Sequence, residues 1–144
     1  MKFIIMLTGK QAAYDAMNGK ATEGIPAWTE GDLKAMFDHM GALNDDLSAR
    51  GELVDAQGLV EPKQAKLVTA AADGTPIVSD GPYGESKEVL AGYWLVDVES
   101  PERAYEIAAR AHRCPVPEGT ADDPPVIVRP VGDPDQTGTE SCAG

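Results

Sequence analysis

Between Thr29 and Gly51 the chain repeats apolar side chains at intervals of three and four: Leu33, Met36, Phe37, Met40, Leu43 and Leu47. That spacing is the period of an α-helix with a single apolar face, and it predicts a helix over residues 30 to 50. Both ends agree with it. Thr29 and Asp32 form an S/T-x-x-D variant of the capping box, Arg50 places a cation in the last turn, and Gly51 supplies a residue free to turn left-handed. A helix this long with one apolar stripe must bury it against a second layer, and the rest of the chain reads as strands that can form one.

Residues 2 to 7 are continuously apolar with two isoleucines, the pattern of a strand buried on both faces. Residues 9 to 28 mix Gly, Ala, Asn and Pro without a period and read as a long loop, although Ala12 to Met17 is compatible with a turn of helix. After Gly51, residues 53 to 60, 65 to 71 and 76 to 79 read as short strands, with Glu61-Pro62 as a break. Asp73-Gly74 marks a hairpin, since both turn positions tolerate positive φ. Tyr93 to Val98 is an aromatic and β-branched strand. Ser100-Pro101 then opens a second helix to about Ala111, whose inward positions Ala104, Ile107, Ala108 and Ala111 are mostly small. Val126 to Val131 is the final strand, and beyond Gly132 the Gly, Pro, Thr and acid composition predicts a disordered acidic tail over residues 132 to 144.

The order is two β-α-β halves with a hairpin between them. Antiparallel pairing with both helices on one face buries each stripe, so the expected fold is an α+β ferredoxin-like sandwich over residues 1 to 131. Its other sheet face is left uncovered. Alternation around Trp94 and Val96 gives that face an apolar part, for which a second subunit is the expected cover.

One segment combines a sharp turn with several ionisable groups: Asp80-Gly81-Pro82-Tyr83-Gly84-Glu85-Ser86-Lys87-Glu88, directly after a strand. On physical grounds it reads either as a solvated surface turn or as a site. The run resembles the signature of the DGPF-domain branch of the YCII-related family. Met1-Lys2-Phe3 opening into a strand, Gly92-Tyr93 leading into Leu95 to Val98, Ala104 with Ala108-Ala109, Cys114-Pro115 and Val128-Arg129-Pro130-Val131 resemble that family in order and spacing. Tyr83 stands where the family name puts Phe, and the connection from Val116 to Pro125 is longer than usual. The resemblance implies a ferredoxin-like subunit paired sheet on sheet into a dimeric α+β barrel, with an enclosed space for a small molecule. It also implies an association with extracytoplasmic-function sigma factors and, in some relatives, a His and Asp pair as candidate active site.

The corresponding pair here is His39 and Asp80. His39 lies on the flank of the apolar stripe, one position from the expected spacing before Gly51, and reads either as a helix-flank histidine bound to a neighbour or as a general base acting with Asp80 and Tyr83. Glu85 and Lys87 either order the loop through local ion pairs or, with Lys87 as a cation in an acidic region, hold a carboxylate ligand. Arg129 is a further ligand candidate of the same kind. The functions compatible with this pattern are a small-molecule binder or cofactor-free enzyme, a regulatory module bound to a sigma factor, and a homodimer without chemistry.

Composition narrows the partners. Lys and Arg number 12 against 24 Asp and Glu, a net charge of −12 over 144 residues, which disfavours nucleic acid and anionic membranes. Much of it lies outside the motif: from Glu118 onward six acids face one base, Arg129. The two cysteines, Cys114 and Cys142, with His39 and His112, match no zinc spacing, so no metal and no cofactor is expected, and Cys114 reads as packing rather than nucleophile. The apolar run Phe3 to Leu7 is too short for a signal peptide or a membrane span, and a cytoplasmic location is expected.

Overall fold

A computed structural model describes residues 1–22, 24–81, 87–121 and 123–132. Strand β1 (Lys2–Gly9) is followed by helix α1 (Gln11–Met17), helix α2 (Glu30–Ala49) and strand β2 (Leu53–Gly58). A single 3₁₀ turn (Pro62–Gln64) leads into β3 (Lys66–Ala70) and β4 (Pro76–Asp80), and β5 (Val89–Asp97), α3 (Pro101–His112) and β6 (Ile127–Pro130) complete the order. The main sheet runs β2-β5-β1-β6 with every pair antiparallel, and β3 and β4 form a separate two-stranded hairpin. This is the ferredoxin-like α+β arrangement, with the hairpin inserted between its halves.

Local chemistry explains the two long helices. The Thr29 hydroxyl accepts from the Asp32 amide at 3.1 Å while the Asp32 carboxylate accepts from the Thr29 amide at 2.9 Å, a complete capping box. At the other end Gly51 turns to φ 71°, and the Glu52 and Gly51 amides return to the Leu47 and Ser48 carbonyls, a Schellman closure. Ser100 caps α3 through the Arg103 amide, with Pro101 in its first turn.

The core lies between the helices and one sheet face, where Phe3, Ile5, Trp94, Val96 and Val98 meet Leu43 and Leu47 of α2 and Ala104, Ile107, Ala108 and Ala111 of α3. Each fully buried Leu or Ile contributes about 1.5–3 kcal/mol of transfer free energy. The small residues of α3 face the core, as the sequence indicates. Trp94 is seated by its ring nitrogen, which donates to the Asn44 carbonyl oxygen at 2.6 Å.

Four expectations are corrected. The stretch after β1 holds a two-turn helix, because Gln11 and Tyr14 find hydrogen-bond partners about fifty residues away that no local pattern reveals. Phe37 is 63% exposed: Met36, Met40, Leu43 and Leu47 already fill the seam, and Phe37 sits on its flank. Trp94 and Val96 point toward the helices, so the alternating positions Tyr93 and Leu95 form the uncovered face, with Ile4 and Met6 of β1 beside them. The hairpin turn uses positive φ at Gly74 alone. The Gly74 amide returns to the Ala71 carbonyl and the Asp73 carboxylate accepts from the Thr75 amide at 2.9 Å, which makes a three-residue loop.

Candidate functional site

The uncovered sheet face is ordered by register into two rows. One runs Asp55, Leu95, Ile4, Arg129 from the β2 edge to the β6 edge; the other runs Gln57, Tyr93, Met6, Ile127. Its centre is apolar, with an acid at one edge and a base at the other. The Tyr93 hydroxyl donates to Asp55 at 2.8 Å and Gln57 donates to the same carboxylate at 3.2 Å. The Tyr93 hydrogen bond holds the Asp55 carboxyl below its usual range and raises the Tyr93 phenol above its own. Arg129 therefore belongs to this face.

His39 lies on the side of α2 that meets α3. Its Nε2 donates to the Arg110 carbonyl at 2.8 Å, and the Arg110 guanidinium pairs with Asp46 of α2. The ring thus ties the two helices together, the flank contact that its boundary position allows. Asp80 closes β4, is exposed, and pairs with Lys66 across the hairpin at 2.6 Å, which holds its carboxyl below the usual range. His39 and Asp80 share no hydrogen bond within one copy. Lys87 is exposed at the approach to β5, and Tyr83 and Glu85 lie outside the described residues. Cys114 is half-buried and directs its thiol toward the Met36 carbonyl, with burial pushing its pKa up. Among the described residues no group of three or more His, Cys, Asp or Glu is placed to hold a metal, and no helix is long and apolar enough to cross a membrane.

An open cleft of about 340 Å³ lies next to the described ends of the motif. The Gly81 amide donates to the Ala65 carbonyl at 3.1 Å, bringing the start of the turn against one wall. Leu59, Val60, Pro62 and Ala65 line the cleft together with Val89 and Leu90, which follow directly after the motif. Glu61 and Gln64 are the polar lining residues. The wall is held from behind by α1. The Tyr14 hydroxyl reaches the Leu59 carbonyl at 2.9 Å, and burial raises its pKa. Gln11, only 5% exposed, donates to Glu61 at 2.8 Å and to Asp15 at 3.0 Å while its own oxygen accepts from the Lys63 amide at 3.0 Å. Hydrogen bonds from Gln11, first, and Gln64 hold the Glu61 carboxyl below the usual carboxylate range.

Neither Gln11 nor Glu61 stands out in the sequence. Glu61-Pro62 signals only a break, and the partner of Gln11 lies fifty residues downstream.

A family model described as the YCII-related domain matches residues 1–127, from before β1 to the first residue of β6. An uncharacterised protein of Rhizobium meliloti (strain 1021) is 30% identical over 82 residues, which is 57% of this chain and 65% of the relative. This chain therefore aligns with just under two thirds of that protein's length. With the matched region extending through the β-α-β, hairpin, β-α order of the sandwich, the chain belongs to the YCII-related family.

Proposed function

We propose that the protein binds a small molecule in the cleft between Leu59–Ala65 and Val89–Leu90, beside the Asp80–Gly81 turn. The observation that carries this reading is the cleft's adjacency to the described ends of the segment singled out by its turn and ionisable groups, through Gly81 against Ala65 and through Val89 and Leu90 after it. An apolar recess with a few polar groups is the usual form of a small-molecule site. His39 and Asp80 are engaged by different elements of one copy, which favours binding over general acid/base chemistry by that pair. Catalysis by the two requires a conformation or a second subunit that brings them together.

The working unit in this reading is a cytoplasmic homodimer joined through the uncovered sheet faces. Charge complementarity supports it. A two-fold axis along the strands places the β2 edge of one copy over the β6 edge of the other, so that Asp55 meets the second copy's Arg129 twice in one interface.

A thermal-shift screen with metabolites tests the cleft, because a ligand of the native state raises apparent stability. A compound that stabilises the native chain but not Ala65→Phe, which fills the recess, supports it; no stabilisation by any class refutes it. The second reading is a regulatory module contacting an extracytoplasmic-function sigma factor. It is favoured by the β3–β4 hairpin, whose ten residues are all exposed, with Val68 and Val78 paired on one face and Leu67 and Ile77 on the other. Sigma-factor capture that is lost on Val68→Lys/Val78→Lys, with Ala65→Phe unaffected, supports that alternative.

A further inference from the structure

The cleft carries its own chemical preference, one that depends on its being the ligand site. Its described lining holds one charged side chain, Glu61, among apolar neighbours. The carboxylate is partly enclosed, with 22% of its side-chain surface exposed. One oxygen accepts from Gln11 at 2.8 Å and from Lys63 at 3.3 Å; the other accepts from Gln64 at 3.1 Å. A carboxylate offers about four lone-pair sites, so three donors leave one acceptor position open. Lys63 approaches from solvent and is itself two-thirds exposed, which makes it a weakly held and replaceable counter-ion.

The fixed placement of the carboxylate matters as much as its charge. Gln11 is buried and satisfied on both of its polar ends, by Glu61 and Asp15 on its nitrogen and by the Lys63 amide on its oxygen. It clamps the side chain of Glu61 and the backbone two residues on at the same time. A rigid anion at the rim of an apolar recess is complementary to a ligand with a cationic or strongly donating nitrogen on an apolar body. It repels an anionic ligand, and the net charge of −12 strengthens both effects at long range.

We propose that the cleft selects organic amines, with the ammonium group received by Glu61 and the apolar body lying against Leu59, Val60, Val89 and Leu90. This departs from the sequence expectation of a carboxylate ligand held by Lys87, which belongs to the motif but is not among the residues lining the cleft.

The test is calorimetric titration of the full chain at neutral pH with three series matched in shape: 2-phenylethylamine and alkylamines, the corresponding carboxylates beginning with 3-phenylpropanoate, and the neutral alcohols. We expect the amines to bind about tenfold or more tightly than either other series, the range of one charge-assisted hydrogen bond. Glu61→Gln abolishes the difference, and Lys63→Ala, which removes the competing cation, increases amine affinity a few-fold. Equal binding of the three series, or preference for the carboxylates, overturns the proposal while leaving the cleft as a site. Binding by none of them also overturns the amine preference, whereas binding unaffected by Ala65→Phe refutes the cleft itself. The ranking is read first on the unaltered chain, so it stands as a test even where Glu61→Gln fails to fold.

Discussion

Trp94 shows how one side chain joins the layers of the molecule. Its ring is buried under α2 while its nitrogen donates to Asn44, so Trp94→Phe removes packing volume and leaves the Asn44 oxygen unpaired. We expect a loss of about 2–4 kcal/mol by urea denaturation. Glu52 and Arg103 form the other instructive pair: the guanidinium of α3 grips the carboxylate between α2 and β2 through Nε at 2.9 Å and Nη2 at 2.8 Å, with both side chains largely enclosed. The Arg103 hydrogen bonds hold the Glu52 carboxyl below its ordinary value of 4.5 and raise the guanidinium above its own. A carboxyl depressed in the folded state contributes stability above its unfolded pKa and loses it as the pH falls through the folded value. The stability difference between the native chain and Glu52→Gln should therefore be about 1–2 kcal/mol at pH 7 and shrink as the pH drops below 4.5. A pH-independent difference would show that the contact matters only as packing.

At the scale of elements, α2 and the hairpin sit at opposite extremes. The helix has both caps completed by its own sequence and a seam buried against the sheet, whereas β3–β4 is a two-stranded ribbon, and two strands alone are marginally stable in water. Amide hydrogen exchange should follow this, with β1 and β5 amides protected at least a hundredfold more than those of β3 and β4. Equal protection would mean that the hairpin is already covered in solution, which would count against its serving as a free docking surface for a sigma factor. Strand β5 carries one further constraint. A Cβ on Gly92 would lie 3.0 Å from the Gln57 carbonyl oxygen, and because that neighbour is backbone, Gly92→Ala should cost about 1–3 kcal/mol in equilibrium unfolding.

For the whole molecule, the proposed dimer rests on the uncovered face. If Asp55 and Arg129 meet across a two-fold interface, Asp55→Arg and Arg129→Asp should each shift sedimentation toward monomer, and the double exchange should restore the dimer. A double variant no better than the single ones would sink that register. The face was only partly legible in the sequence. The continuous apolar run of β1 indicated burial on both sides, and Ile4 and Met6 are the half-buried residues of the side without helices. The alternation of β5 was legible too, but not its phase: which of Trp94 and Tyr93 faces the helices depends on the register with β1 and β2, a non-local property.

The sequence alone determined the elements whose signals are local: the stripe and caps of α2, the Ser100-Pro101 start of α3, the strand-forming runs and the hairpin between the two halves. From these the ferredoxin-like order follows, because each apolar face has one economical partner. The tertiary structure decided what depends on chain segments distant in sequence. It placed His39 against α3, Asp80 against Lys66 and Arg129 on the uncovered face. It also formed the cleft by docking α1, unmarked by any periodicity, onto the Glu61 segment through Gln11. Hydrogen bonds between polar side chains fifty residues apart leave no pattern in a sequence, since neither residue type nor spacing distinguishes them from solvated surface; only the folded chain brings the partners within reach.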